Sequence, residues 1–298
     1  METLPNRDNP RLGIMLMILT TIVFAAQDGI SRYLGGKYDI MTVVMLRYWF
    51  FAAFVITLSA ARGGGIARVA RTRQPLLQIF RGVLLVAEIC VVVLAFVVLG
   101  LIETHAIFAV NPLLVAALAG PVLGEFVGWR RGIAILVGLA GVLIILRPGF
   151  GVMNPNSLIA LGGAFMFALY VLLTRKAARL DSSETSFFYT GVAGAVAITL
   201  VAPFFWTPMQ GAADWAWMGA LCVTGASGHY LLIRTYELAD AGTVQPFTYF
   251  QLFFASLIGV SVFGETLDRW TLAGGALILA AGLYALIRQA RLGQGGGV

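Results

Sequence analysis

The stretch 225-GASGHY-230 places Ser227 two positions before His229, two side chains able to do chemistry. A serine nucleophile needs its base within about 3 Å. Residues two apart on a helix point about 200° away from each other, so this pair cannot act within one helix. The chain's other histidine, His105, belongs near the outer end of a different apolar run, whereas Ser227 lies towards the middle of its own. Gly225, Ala226, Ser227 and Gly228 read more simply as a small-residue surface that lets helices approach closely. The same chemistry recurs at 120-GPVLGEFVG-128.

The remaining polar residues within apolar runs are few. They are Gln27, Asp28 and Ser31; Glu88; Asn111; Tyr170; Ser227, His229 and Tyr230; and Gln245, Thr248, Tyr249 and Gln251. Ionisable groups at bilayer depth are costly and mark cavities, ion pairs or proton paths. Glu88 is the sharpest case, sitting far from both ends of its run. It is read as facing a cavity, to bind a substrate ammonium or take up a proton; the structural alternative is a bond to His229 or Arg81. Asp28, near the outer end of its run, is a second candidate for proton or ion coupling, with interfacial solvation as the alternative. Asn111 precedes Pro112, which releases a backbone carbonyl and kinks a helix. Gln251 is expected deeper than Gln245, and Pro246 marks a first turn. Tyr170 and Tyr230 are placed to stack on an apolar substrate group. The candidate binding residues are therefore Gln27, Glu88, Asn111, Tyr170, His229, Tyr230 and Gln251.

The elements that must carry these residues follow from composition. The 298-residue chain is 59% hydrophobic and 11% charged, with a mean hydropathy of +0.89. Soluble domains average about 25% charged residues, so such a chain cannot cover a water-facing surface. A span needs about 20 apolar residues, and that ruler gives ten spans, near 11–31, 40–60, 76–99, 104–124, 131–147, 156–174, 185–206, 213–234, 243–264 and 270–288. Gly100 and Glu103-Thr104-His105 favour a turn between the third and fourth. The first run follows Arg7 and Arg11 as a signal peptide would, but its length and the spans after it make it an anchor. Trp206, Trp215, Trp217 and Trp270 fall at expected span ends, as belt residues do.

Loop charges set orientation. With ten spans, the side holding both termini collects Arg7, Arg11, Arg62, Arg68, Arg71, Arg73, Arg130, Arg131, Arg175, Lys176, Arg179, Arg234, Arg288 and Arg291. The opposite side has Arg32, Lys37, Arg147 and Arg269. Both termini are thus expected in the cytoplasm. Arg47 and Arg81 lie within spans and are read as snorkelling or paired. The net charge of +6 forms no basic stripe with interleaved aromatics, so nucleic acid is not an expected partner. Cys90 and Cys222 are isolated, giving neither a disulfide framework nor metal spacing. No Walker-A loop is present, and no cofactor is expected.

The chain repeats itself. Phe96–Glu125 aligns with Tyr236–Glu265 at a constant offset of 140, each copy ending in Gly-Glu. Each is followed by a glycine-rich apolar run, 138-GLAGVLIIL-146 and 274-GGALILAAGL-283. Upstream, 24-FAAQDGISR-32 resembles 167-FALYVLLTR-175 at an offset of 143. Each half then has five spans, residues 1–148 and 149–298, and the odd number turns the second half upside down. At these offsets Gln27 corresponds to Tyr170 and Asn111 to Gln251, while Glu88 falls opposite Gly228, beside His229.

This pattern resembles the drug/metabolite transporter superfamily, with ten helices, two EamA-type repeats and Gly-Glu after the fourth and ninth spans. Within it the chain resembles the YddG-type amino-acid exporters. The resemblance implies a bacterial inner-membrane exporter of amino acids, classically aromatic ones, with a central cavity between the halves. Glu125 and Glu265 are read as structural, capping or pairing with Arg130 and Arg269. The expectation is an all-α integral membrane carrier and not an enzyme. It would act as a monomer, with broad specificity for neutral amino acids and related small metabolites. An intramembrane hydrolase or lipid-modifying enzyme, or a non-transporting receptor or assembly subunit, are the competing readings. The former would want clustered carboxylates or a separated Ser/His pair, and neither is visible.

Overall fold

The computed structural model describes residues 10–61, 65–124, 129–147, 154–238 and 244–294. Among them there are helices and turns and no strand. In order they are α1 (Pro10–Gly35), α2 (Ile40–Ala61), the short α3 (Gly65–Ala70), α4 (Pro75–Leu99), α5 (Leu101–Phe108), α6 (Asn111–Leu123), α7 (Trp129–Leu146), α8 (Ser157–Ala177), α9 (Ser183–Val201), α10 (Ala212–Leu238), α11 (Phe250–Phe263) and α12 (Arg269–Gln294). Short 3-10 turns, Ala202–Phe205 and Gln245–Tyr249, follow α9 and precede α11.

Among the described residues, six stretches are long and apolar enough to cross a membrane: Arg11–Gly35, Ile40–Ala61, Pro75–Leu99, Leu101–Leu123, Ser157–Ala177 and Ser183–Phe205. Gly132–Leu146 and Phe247–Phe263 are shorter apolar helices. The exterior is apolar as well: Leu76, Phe204, Leu200, Val262 and Leu136 all stand exposed. A surface of this kind is stable against hydrocarbon and not against water.

Breaks in the helices have identifiable causes. Gly100 separates α4 from α5 with φ 95°, where a side chain is disfavoured. The expected fourth span is one apolar stretch, Leu101–Leu123, interrupted by two residues that keep right-handed helical angles. It breaks at Ala109–Val110, and Asn111 and Pro112 begin a new segment, because proline fits a first turn far better than an interior. The glycine of each Gly-Glu pair ends its helix in the left-handed conformation, Gly124 at φ 73° and Gly264 at φ 66°. Glu125 lies outside the described residues.

Helices from the two halves of the chain interleave. α1 packs on α10 and α11, while α8 packs on α4, α5 and α6; α2 meets α9, and α7 meets α12. The α7–α12 contact joins the two glycine-rich runs backbone to backbone. A Cβ on Gly141 would lie 2.7 Å from the carbonyl oxygen of Gly274, and one on Gly274 would lie 2.5 Å from that of Gly141. Around this contact Leu113, Val142, Ile145, Ala164 and Ile278 form one hydrophobic core. Val44, Met45, Tyr48, Val55, Val86 and Ile198 form another between α2, α4 and α9.

Candidate functional site

A narrow crevice lies where α2, α4 and α10 meet. Arg47, Tyr48 and Phe51 line it from α2, Leu85 and Ile89 from α4, and Cys222, Gly225, Ala226 and His229 from α10. It has room for about one water-sized group, so it can admit the end of a metabolite and not the whole.

The GASGHY stretch builds one wall. Gly225 leaves a notch: a Cβ there would come 3.3 Å from Arg47 Nε and 3.4 Å from Gln27 Oε1. The missing side chain is what lets Arg47 and Gln27 reach the same place. Gly228 does the corresponding work against α1, where a Cβ would meet the ring of Phe24 at 2.6 Å. Ser227 Oγ donates to the carbonyl of Thr224 at 3.3 Å. His229 sits between aromatic rings, edge-on to Phe24 at 5.4 Å and stacked with Phe51 at 6.0 Å. His105 is occupied elsewhere, on Asp28 and over Phe96. Neither histidine is a base for Ser227.

One of the expected site residues lines this crevice and two lie beside it. His229 lines it. Gln27 borders it over Gly225, buried, with Oε1 lacking a hydrogen-bond partner among the described residues. Glu88 lies on the face of α4 that carries Leu85 and Ile89, three residues after the first. Its carboxylate is 5% exposed, no hydrogen bond from a described residue reaches it, and the charges acting on it are Arg47 and Asp28. Its expected partners differ from this arrangement, since Arg81 is engaged elsewhere.

Other expected residues lie apart. Asp28 is buried, not solvated at an interface; it accepts from Gln251 Nε2 at 2.9 Å and contacts His105 Nε2 at 3.1 Å. Gln251 therefore ties α11 to α1 and does not line the crevice. Asn111 Nδ2 donates to the carbonyl of Ala164 at 3.0 Å, holding the start of α6 to α8. Tyr170 OH accepts from Arg81 Nη1 at 3.2 Å, on the α8–α4 seam. Tyr230 is 47% exposed on the outer face of α10, since it is one residue, about 100°, from His229.

The two arginines inside spans are both buried, so neither snorkels. Arg81 is fully used: it donates to Gln78 Oε1, Tyr170 OH, Thr174 Oγ1 and the carbonyl of Ser186. Arg47 is 8% exposed and makes no hydrogen bond or ion pair with a described residue, though it lines the crevice. It lay outside the expected site because a mid-span arginine is expected to snorkel or pair; Arg81 pairs, and Arg47 does neither with a described residue. The depth of Arg47 in 40-IMTVVMLRYWFFAAFVI-56, seven residues past the helix start, was the available signal. Tyr48 was missed too; its hydroxyl is buried without a partner among the described residues, and its ring fits because Gly194 has no Cβ, which would lie 2.2 Å away.

The expected Glu265–Arg269 pairing gives way to another. Glu265 pairs with Arg32 and accepts from the backbone N–H groups of Leu101 and Ile102. Arg269 lies instead over the Trp270 ring.

The EamA-like transporter family matches residues 11–147 and 155–287. The chain belongs to that family. It is 25% identical over 277 residues to the S-adenosylmethionine uptake transporter of Rickettsia felis, covering 92% of each chain. It is 28% identical over 283 residues to the riboflavin transporter of Vibrio cholerae, again over 92% of each. A third relative is the pseudopaline exporter CntI of Pseudomonas aeruginosa, 24% identical over 271 residues, covering 90% of this chain and 94% of that one. A solved crystal structure shares the fold with a TM-score of 0.65 at 19% identity, covering 95% of this chain and 99% of the other. The family and these relatives are transporters of the drug/metabolite superfamily and not enzymes.

Proposed function

We propose that this protein is a secondary carrier for amino acids and related small metabolites, working by alternating access in the export direction. The observation that carries the reading is the crevice between α2, α4 and α10, lined by His229 and bordered by Gln27 of α1 and Glu88 of α4. A buried carboxylate and an unpartnered amide in a transporter are costly unless something occupies them. The aromatic walls, Phe51 and Tyr48, suit an apolar or aromatic side chain once the helices part. One methylene is worth only about 1–3 kcal/mol in such a pocket, so specificity among neutral amino acids is broad.

The architecture that supports it is ten crossings: α1, α2, α4, the broken pair α5–α6, α7, α8, α9, α10, α11 with its preceding turn, and α12. We read residues 1–148 and 149–298 as two inverted five-helix repeats. The exchange of partners, α1 with α10 and α11 against α8 with α4 and α6, is the packing such a relation produces. The protein sits in the bacterial inner membrane as a monomer with both termini in the cytoplasm. Glu88 is the proton or ion coupling group, with Asp28 second. Asn111, Tyr170 and Gln251 act on the site through the helices they hold together.

Purified protein in liposomes, loaded with labelled tryptophan, phenylalanine, leucine or alanine and held with or without a pH gradient, tests this. Flux of several neutral amino acids, faster under the gradient, is expected. No flux of any of them would defeat the amino-acid reading. S-adenosylmethionine and riboflavin, the cargoes in the relatives' names, belong in the same assay as the alternative cargoes.

A further inference from the structure

Two buried arginines lie within the bundle, and their surroundings are opposite. Arg81 has four hydrogen-bonding partners on α4, α8 and α9. Arg47, also buried, has none among the described residues and faces the crevice. A guanidinium held in an apolar bundle without partners is far less stable than one that is paired. Its surroundings are shaped around it: Gly225 is a glycine where any Cβ would crowd Nε, and Gly194 admits the neighbouring Tyr48 ring.

The unpartnered groups divide by chemistry. The Arg47 N–H groups and the neighbouring Tyr48 hydroxyl, buried with no partner among the described residues, can donate. Gln27 Oε1, also buried without a partner, and the Glu88 carboxylate are acceptors. The crevice therefore carries donors for an anion on its α2 wall, and acceptors for a cation border it, Gln27 over Gly225 and Glu88 beside Ile89 on α4. We infer that Arg47 and Tyr48 form the carboxylate-binding pole of the substrate site, with Gln27 and Glu88 as the ammonium pole. The ligand class is a compact zwitterion carrying both groups. This rests on the carrier reading above and assigns which atoms hold which end. Guanidinium and carboxylate match as a fork with two parallel bonds, and a neighbouring hydroxyl can supply a third. The crevice admits such a terminal group; the rest of the substrate enters when α2, α4 and α10 separate.

The test uses the purified full chain and four probes sharing one ring system: tryptophan, indole-3-propionate, which lacks the amine, tryptamine, which lacks the carboxylate, and tryptophanamide, whose carboxylate is masked. Binding is read by competition against labelled tryptophan and by thermal shift for each probe alone, and tryptophan flux is read in liposomes. Arg47→Gln is expected to weaken tryptophan and indole-3-propionate on the order of tenfold or more, the weight of a charged hydrogen bond, while tryptamine changes little. Glu88→Gln is expected to invert the pattern. Arg47→Lys keeps the charge and loses the fork, and should fall between. Because Arg47→Gln can fail to fold, the wild-type series stands by itself: tryptophanamide must compete clearly worse than tryptophan. Equal competition by the amide, with tryptophan flux intact, overturns the carboxylate pole and leaves the carrier reading standing. Arg47-dependent binding of indole-3-propionate without tryptophan flux upholds the pole and defeats the amino-acid reading. No binding of either carboxylate probe overturns the pole whatever the flux.

Discussion

Glu265 and Arg32 form an ion pair between the end of α11 and the end of α1, and the same carboxylate caps α5. Leu101 N–H reaches Oε1 at 2.8 Å and Ile102 N–H reaches Oε2 at 2.9 Å. A helix start has unsatisfied N–H groups and a partial positive charge, so a carboxylate is the fitting partner. Gly100 is required in this arrangement twice over. Its φ is 95°, and a Cβ would lie 2.8 Å from Glu265 Oε1.

Glu265→Ala is therefore expected to destabilise the fold by roughly 1.5–3 kcal/mol, the cost of losing hydrogen bonds to a charged group. Glu265→Gln should recover part of this, because its amide oxygen still accepts one N–H. Arg32→Ala should cost less, since the cap on α5 survives. Thermal unfolding in detergent checks the order; an Arg32→Ala loss equal to that of Glu265→Ala would show that the cap contributes nothing.

Gly225 offers a test of the crevice that leaves its polar groups in place. A Cβ at 3.3 Å from Arg47 Nε and 3.4 Å from Gln27 Oε1 is tight, and both neighbours are flexible side chains that can shift by a few tenths of an ångström. Gly225→Ala should keep the fold and reduce flux several-fold, on the scale that small misplacements cost. Gly194→Ala puts a Cβ 2.2 Å from Tyr48 Cε1 on a fully buried ring. It should lower stability by about 1–3 kcal/mol, as overpacking does. If both variants lost stability alike, Gly225 would be a packing residue and not a notch for the site.

How far the sequence foretold this follows from which forces act locally. Helix ends were legible because glycine, proline and charge act within a turn. Gly100, Gly124 and Gly264 mark breaks as their types require, and Glu265 caps, as one of its two expected roles had it. His229 reached the crevice and Tyr230 did not, though adjacent, because rotation about the helix axis decides which one faces inward, and α10 is apolar on all sides. Arg47 and Arg81 look alike in sequence. What separates them is whether Gln78, Tyr170, Thr174 and Ser186 stand nearby, and three of these come from the other half of the chain. Asp28 and Gln251, 223 residues apart, meet for the same reason.

Asp181, in the loop between α8 and α9, gives a pH dependence away from the site. Partial burial disfavours its charge, but Thr72 Oγ1, Gln78 Nε2 and the Arg73 N–H donate to it and outweigh that, holding its pKa below the usual carboxylate value. A depressed folded pKa stabilises the fold above the unfolded value of about 3.9, and that stabilisation is lost as pH falls through the lower folded pKa. Acid unfolding followed from pH 5 downward should therefore be shallower for Asp181→Asn than for the wild type, with lower stability at pH 7. Parallel curves for the two proteins would remove Asp181 as a contributor.

Glu88, beside the crevice, and Asp28, apart from it, are both buried acids, and their bonding separates their roles. Asp28 is held by Gln251 and His105, so adding a proton there breaks a tie between α1, α5 and α11. Glu88 accepts no hydrogen bond from a described residue and feels the opposing charges of Arg47 and Asp28, so a proton can come and go without unfastening a helix. A carrier that couples to protons needs a group of the second kind. Glu88→Gln should lose the acceleration of flux by a pH gradient, whatever exchange remains, whereas Asp28→Asn should lower thermal stability and slow flux while the ratio with and without the gradient persists. The ratio is the deciding measurement, because both variants can slow transport. Should it vanish in Asp28→Asn and survive in Glu88→Gln, coupling would run through the α1–α11 tie, and helix separation would be the step that the proton drives.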